Sequence, residues 1–152
     1  MMYVETPGDA TLPISTHVVI VHVCNNVGAW GAGFVIPLGK RYPEARESYY
    51  KMHKDYETIL GAVQFVKVED NEVYVANMIG QDNIQQNVPP VRYEAIREGL
   101  GKVRDFCIEK GLQVQMPKIG SGLAGGNWEI ISDIIKSELS LHNVPVTVLT
   151  ID

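Results

Sequence analysis

Hydrophobic and polar positions along this chain follow two patterns, one typical of buried strands and one typical of amphipathic helices. Residues 16–24, THVVIVHVC, form an almost continuous apolar run rich in β-branched side chains, which predicts a central strand covered on both faces. Asp70 and Asn71 separate two shorter runs and suit a hairpin turn. Together the shorter runs predict strands at 1–5, 61–68, 72–79, 112–119 and 144–151.

Helices are predicted from apolar spacing and from residues that favour helix boundaries. One helix should begin near Gly33 or Phe34, because Pro37 follows closely and proline is tolerated only in a first turn. A second is predicted over 43–55, with Pro43 at its start. Two more are marked by apolar residues on one face: Ile96, Leu100, Val103 and Cys107 before a stop at Gly111, and Trp128, Ile131, Ile135 and Leu139 after an N-cap at Asn127.

Strands that alternate with helices, together with one hairpin, predict an α/β fold. We expect a three-layer α/β/α arrangement in which a mixed, mostly parallel central sheet lies between two layers of helices. No internal repeat, low-complexity tract or linker interrupts the pattern, so residues 1–152 are expected to form a single domain.

The composition argues against some classes of binding partner. A formal net charge of −5 argues against a general nucleic-acid binder and against a membrane-surface protein, because both present a basic face. The first residues lack a signal-peptide pattern, and no apolar run approaches about 20 residues, so we expect a cytoplasmic protein. We also expect a monomer. Cys24 and Cys107 have no metal-ligand spacing and are expected to be buried, reduced thiols. No metal or cofactor is predicted.

Two glycine-rich loops occupy equivalent places in the predicted fold. The first glycine loop, residues 28–33, follows the strand at 16–24, and the second glycine loop, residues 120–126, follows the strand at 112–119. In an open α/β sheet such loops lie at the carboxyl ends of strands, where ligands bind. Glycine lets main-chain N–H groups approach a ligand closely, and a helix start behind each loop suits phosphate. Tight turns and close packing alone are the alternative explanation.

The better-known phosphate motifs do not fit. The chain has no G-x-x-x-x-G-K-[ST] segment, which disfavours an ATPase of that class. The strand at 16–24 is not followed by G-x-G-x-x-G with an acidic residue about 20 positions further on, which disfavours a dinucleotide-dependent dehydrogenase.

Four segments match one family in order and spacing: GDAT at 8–11, VHVCNNVGAWGAGF at 21–34, MPKIGSGLAGGNW at 116–128 and VTVLTI at 146–151. With these motifs the chain resembles a macrodomain over essentially its whole length. The resemblance is to the branch that contains yeast-type ADP-ribose 1''-phosphate phosphatases and related de-ADP-ribosylating enzymes. It implies a pocket for ADP-ribose or ADP-ribose 1''-phosphate, with ADP-ribosylated macromolecules as further partners.

The resemblance also implies roles for particular residues. Asp9, with Ala10 beside it, would accept a hydrogen bond from the adenine amino group, and Asn25 would contact the distal ribose. An ordinary Asx turn at Asp9 and a loop-tying role for Asn25 are the alternatives. Main-chain groups around the diphosphate and distal ribose would come from Gly31, Ala32, Gly33 and Phe34 at the first loop and from Gly120, Ser121, Gly122, Leu123, Ala124 and Gly125 in the second.

His22 is the catalytic residue that the resemblance implies. Phosphatase-like members of the family have a histidine at the matching position of an H-x-C-N motif, and histidine can move a proton near neutral pH. A structural role is the alternative. Related hydrolases use a lysine in the segment matching residues 77–87 and an aspartate at the position of Ala124, and this chain has neither. Gln81 and Asp82 are interpreted as part of a solvated loop, with a place beside the distal end of the pocket as the alternative.

Three functions are compatible with these residues. The favoured one is a phosphatase that converts ADP-ribose 1''-phosphate to ADP-ribose and phosphate. The others are a module that binds ADP-ribose without turnover and a mono-ADP-ribosyl hydrolase that lacks the usual lysine and aspartate.

Overall fold

The computed structural model describes residues 2–84 and 90–151, and within them the chain forms six strands and four α-helices. Two short 3₁₀ turns, Gly122–Ala124 and Ser140–His142, lie in the second half of the chain. The main elements in chain order are β1 Tyr3–Pro7, β2 Val18–Asn25, α1 Val35–Arg41, α2 Pro43–Lys54, β3 Val63–Glu69, β4 Val73–Gln81, α3 Tyr93–Lys110, β5 Gln113–Met116, α4 Trp128–Glu138 and β6 Val146–Thr150.

All six strands belong to one sheet with the order β1-β6-β5-β2-β4-β3. The first five strands in that order pair in parallel, and β3 pairs antiparallel with β4 as a hairpin at one edge. The carboxyl ends of the five parallel strands therefore meet along a single edge of the sheet. The predicted mixed, mostly parallel sheet is confirmed.

The core lies on both faces of this sheet. Along β2, Val19 and Val21 pack into the layer formed by α3 and α4, whereas Val18 and Ile20 pack into the layer formed by α1 and α2. Successive side chains of a strand point to opposite faces, so a strand with helices on both sides must be apolar throughout. The predicted three-layer α/β/α fold class is confirmed.

Local signals placed several helix boundaries correctly. Gly111 ends α3 in the left-handed conformation with φ 69°, and the side chain of Asn127 caps α4 by accepting hydrogen bonds from the N–H groups of Glu129 and Ile130. Pro43 is the first residue of α2, and Pro37 lies in the first turn of α1. These devices act within one turn of the chain, which is why sequence alone can locate them.

One strand is shorter than its apolar pattern predicts. The run at 112–119 suggested a strand of that length, but β5 ends at Met116. Pro117 has no N–H to donate to a neighbouring strand, and its carbonyl accepts a hydrogen bond from Ile119, which turns the chain away from the sheet. Lys118 therefore lies beyond the strand rather than within it.

No helix in the described residues is long and apolar enough to cross a membrane. Cys24 and Cys107 are both free thiols and both buried, as predicted.

Candidate functional site

A cleft of about 290 Å³ opens at the carboxyl edge of the sheet, between the two glycine loops. The loops face each other because they follow β2 and β5, which are adjacent in the sheet. A larger groove of about 600 Å³ runs between α2 and β3, but neither glycine loop contributes to it. The cleft is lined by His22, Val23, Ala32, Gly33, Phe34, Val35, Gln81, Pro117, Lys118, Ile119, Gly120, Ser121, Gly122 and Ala124.

The backbone conformation explains a glycine in each loop. Gly33 has φ 81° and Gly120 has φ 72°, a left-handed region that residues with a side chain rarely adopt. A Cβ atom on Gly120 would also lie 2.9 Å from Cδ1 of Ile131, the side chain on which the loop packs. Glycine therefore occurs at these positions, despite its entropic cost, because the chain must turn sharply into the cleft.

Several main-chain N–H groups on both sides of the cleft are unused. Among the described residues, no carbonyl or side chain accepts from the N–H groups of Ala32, Gly33 and Phe34 on one side, nor from those of Ser121 and Gly122 on the other. All five residues line the cleft. Unpaired N–H groups are strong donors that need a partner, and an anionic ligand is the partner they suit best.

The first loop is fixed by the side chain of Asn25. Its Oδ1 accepts from the N–H groups of Val27 and Ala29, each at 3.1 Å, and its Nδ2 donates to the carbonyl of Ala29 at 2.8 Å. From α2, the hydroxyl of Tyr49 lies 2.6 Å from the Asn25 carbonyl oxygen and 2.8 Å from Oδ1. The loop-tying alternative therefore describes Asn25 in this structure, and contact with a ribose remains a prediction.

Asp9 forms an Asx turn at the end of β1. Its Oδ1 accepts from both the hydroxyl and the N–H of Thr11, at 2.7 and 2.9 Å, and these bonds lower the pKa of the Asp9 carboxyl. The carboxylate is thus ionised at neutral pH and exposed to solvent. It retains acceptor capacity for an N–H donor such as an adenine amino group, which remains a prediction.

Gln115 holds the segment that follows Asp9. This fully buried side chain of β5 donates through Nε2 to the carbonyls of Ala10 and Leu12 and accepts through Oε1 from the N–H of Ile14, all at 2.9 Å. Sequence reasoning missed it, because the partners lie about a hundred positions away along the chain.

His22 lies in β2 among aromatic side chains and is only 2% exposed. Its ring packs edge-on against Trp30, with centroids 5.3 Å apart, and its Nε2 lies 2.6 Å from Oδ1 of Asn77. Burial lowers the pKa of His22 to about 4, and the hydrogen bond with Asn77 offsets only part of that effect. The imidazole is therefore neutral at physiological pH, able to accept a proton but not to donate one as an acid.

The solvated-loop interpretation of Gln81 is wrong, because Gln81 is the last residue of β4 and lines the cleft. Asn26 ties this strand end to the first loop. Its N–H donates to the Gln81 carbonyl, its Nδ2 donates to Oδ1 of Asp82, and its Oδ1 accepts from the N–H of Asn83. The continuation of the apolar run in β4 to Ile79 was the signal that could have placed Gln81 at the sheet edge.

Comparisons with known proteins identify the family. No protein-family model matches the chain. An ADP-ribose 1''-phosphate phosphatase of Lodderomyces elongisporus is 30% identical over 125 residues, which cover 77% of this chain and 78% of that protein. The solved structure of a macrodomain protein from Streptomyces coelicolor is 42% identical, with a TM-score of 0.84 over 99% of this chain and 98% of that one. This chain belongs to the macrodomain family. A protein from Bacteroides thetaiotaomicron has the same fold, with 47% identity and a TM-score of 0.96 over 99% of both chains.

The macrodomain cleft brings together most of the residues predicted for its phosphate loops. The lining contains Ala32, Gly33, Phe34, Gly120, Ser121, Gly122 and Ala124, and it also contains His22, the predicted catalytic residue. The predicted residues Asp9, Ala10, Asn25, Gly31 and Gly125 are not part of its lining. The main chain of Leu123 lies in the 3₁₀ turn of the second loop, and its side chain is outside the described part of the structure.

Two further lining residues of the macrodomain cleft, Lys118 and Ile119, were assigned to a strand by sequence reasoning. Nζ of Lys118 lies 5.9 Å from the centre of the Trp128 ring, a cation–π distance. Across residues 2–84 and 90–151, no group of three or more histidine, cysteine or acidic side chains is arranged to hold a metal ion.

Proposed function

We propose that this macrodomain binds ADP-ribose in the cleft and hydrolyses ADP-ribose 1''-phosphate to ADP-ribose and phosphate. The observation that carries the proposal is the set of unused N–H groups lining both sides of one cleft. They can surround a diphosphate without any cationic side chain, which suits a protein with a net charge of −5. The relative from Lodderomyces elongisporus bears the name of this phosphatase.

In the proposed reaction, water adds to phosphorus and the bond between phosphorus and the 1''-oxygen breaks. The oxygen leaves as a hydroxyl group after taking up a proton, and the phosphate departs as the second product. Neutral His22 is the proposed catalytic residue, and its state suits a base that takes a proton from the attacking water. Asn25, Gly31, Leu123 and Gly125 would complete the distal-ribose and diphosphate contacts, and Asp9 with Ala10 would contact the adenine.

A second candidate is a module that binds ADP-ribose without turnover. The burial of His22 favours it, because a ring that is 2% exposed presents little surface to a substrate. The N–H groups of the two loops would still be sufficient for binding.

The two candidates are separated by measuring binding and turnover on the same variants. We expect calorimetry to detect ADP-ribose binding to the wild-type protein, and we expect saturable phosphate release from ADP-ribose 1''-phosphate. In His22→Gln, whose amide can still donate to Asn77, phosphate release should fall by about 100-fold or more while ADP-ribose affinity changes little.

His17→Gln is the matched control, because His17 is exposed and lies at the opposite end of β2 from the cleft. It should keep full turnover. Binding without any phosphate release by the wild-type protein would support the second candidate, and unchanged turnover in His22→Gln would reject His22 as the catalytic residue.

A further inference from the structure

A chain of hydrogen-bonded side-chain amides leads from α2 to the ring of His22. Gln64 of β3 donates through Nε2 to the carbonyl of Ser48, at 3.0 Å. Asn77 of β4 donates through Nδ2 to Oε1 of Gln64 and to the carbonyl of Ala45, both at 3.0 Å. Oδ1 of Asn77 then lies 2.6 Å from Nε2 of His22. The last contact joins residues that are directly paired in the register of β2 and β4.

The backbone carbonyls of Ser48 and Ala45 determine which atom is the donor in each of these hydrogen bonds. A carbonyl oxygen can only accept, so the atom of Gln64 facing Ser48 must be its nitrogen, and the atom of Asn77 facing Ala45 must be its nitrogen as well. Oδ1 of Asn77 is therefore the atom that faces His22, and it has no proton to give. The hydrogen bond at 2.6 Å exists only if His22 donates from Nε2.

We propose that Asn77, held by Gln64 and the α2 carbonyls, is a positioning residue that fixes His22 as the tautomer protonated on Nε2 and leaves Nδ1 as the ring's only acceptor. The role of that acceptor in catalysis rests on the proposed phosphatase activity. The tautomer itself does not, and it can be measured without any turnover.

No charged side chain of the described residues contacts the His22 ring. Its neighbours are Asn77 on β4, Trp30 in the first loop, Phe34 directly after that loop, and Cys24 on its own strand. Sγ of Cys24 lies 3.7 Å from Nε2 and 3.9 Å from Nδ1, and burial raises the pKa of this thiol, so it stays protonated and uncharged. Neutral amide geometry rather than charge therefore determines which nitrogen holds the proton.

The decisive measurement is nitrogen-15 NMR of the histidine rings in the wild-type protein at pH 7. We expect His22 to show a protonated Nε2 and an unprotonated Nδ1, with slow solvent exchange of the Nε2 proton. A proton found on Nδ1 would overturn the proposal, whatever the enzymatic activity.

Variants then test whether Asn77 is responsible. In Asn77→Leu the ring should lose its protected Nε2 proton, and kcat should fall by about tenfold or more while KM changes little, because the base is no longer oriented. Gln64→Met removes only the support of Asn77, so it should give a smaller change in the same signals and remain folded, since Gln64 is only partly buried and lies on the edge strand.

Val66→Ala on the same edge strand is the matched control, because it loosens packing without touching the amide chain. It should leave the His22 signals unchanged. Unaltered ring signals in both Asn77→Leu and Gln64→Met, or equal changes in Val66→Ala, would overturn the positioning role. A wild-type protein with the expected tautomer but no phosphate release would reject the phosphatase and leave the positioning of His22 supported.

Discussion

At the scale of single residues, the site depends on polar side chains that form hydrogen bonds to the main chain of the loops, rather than on side chains that face solvent. Asn25 and Tyr49 show this most clearly. The hydroxyl of Tyr49 is buried and donates to the Asn25 main-chain carbonyl, while the Asn25 amide holds the turn at Val27 and Ala29. The shape of the first glycine loop is thereby linked to the packing of α2.

Replacing Tyr49 by phenylalanine tests this link. The variant leaves the Asn25 carbonyl without its donor, so we expect the free energy of unfolding to fall by about 1–2 kcal/mol, measured by urea denaturation. Because the first loop loses a constraint, ADP-ribose affinity measured by calorimetry should also fall several-fold.

Tyr50→Phe on the same helix is the control. Tyr50 is 45% exposed and its hydroxyl has no hydrogen bond among the described residues, so stability should change by no more than about 0.5 kcal/mol. Equal effects of the two substitutions would contradict the link between Tyr49 and the loop.

At the scale of elements, β5 serves both ends of the proposed ligand site. Its carboxyl end leads into the second glycine loop, and Gln115 within it holds the 10–14 segment that follows Asp9. A short central strand thus positions the predicted adenine contact and part of the predicted diphosphate contact together.

Gln115→Met should weaken the adenine end of the proposed site more than the diphosphate end. Methionine keeps the shape of the side chain but removes all three hydrogen bonds that hold the 10–14 segment. We expect ADP-ribose affinity to fall by about tenfold, and stability by about 1–3 kcal/mol. Affinity for ribose 5-phosphate, which has no adenine, should change much less when both ligands are measured by calorimetry.

Gln113→Met provides the comparison on the same strand. The side chain of Gln113 makes no hydrogen bond among the described residues, so neither affinity should change. An equal loss for both ligands in Gln115→Met would show that Gln115 supports the whole cleft rather than the adenine side.

Elements also show what sequence could and could not reveal. The fold class, the cap at Asn127 and the stop at Gly111 depend on periodicity or on contacts within one turn, and all were predictable. The early end of β5 depends on one proline inside an apolar run. The roles of Gln115 and Asn77 depend on partners brought together only by the sheet order, and no local pattern indicates them.

At the scale of the whole molecule, the strand order creates the cleft and also buries a histidine beneath it. β2 lies between β5 and β4 near the centre of the sheet, so both of its faces are covered by helices. His22 must therefore remain neutral in the folded protein over a pH range in which an unfolded chain would protonate it. The position that makes His22 a candidate base thus carries a cost in stability at acidic pH.

The pH dependence of unfolding measures that cost. Burial lowers the pKa of His22 from 6.5 to about 4. Between these values the unfolded chain binds a proton at this position that the folded chain does not, so stability falls as pH drops from about 6.5 to about 4. Below pH 4 this destabilisation reaches about 3 kcal/mol, and above the pKa of the unfolded chain it is absent.

Urea denaturation at pH 7 and at pH 4.5 should show that wild-type protein loses more stability on acidification than His22→Gln does. Carboxylates such as Asp9, whose pKa is lowered in the fold, also destabilise the protein in acid, but equally in both proteins. Identical pH profiles for wild type and variant would mean that the folded protein accommodates a charged His22, and the neutral base proposed for the cleft would then be wrong.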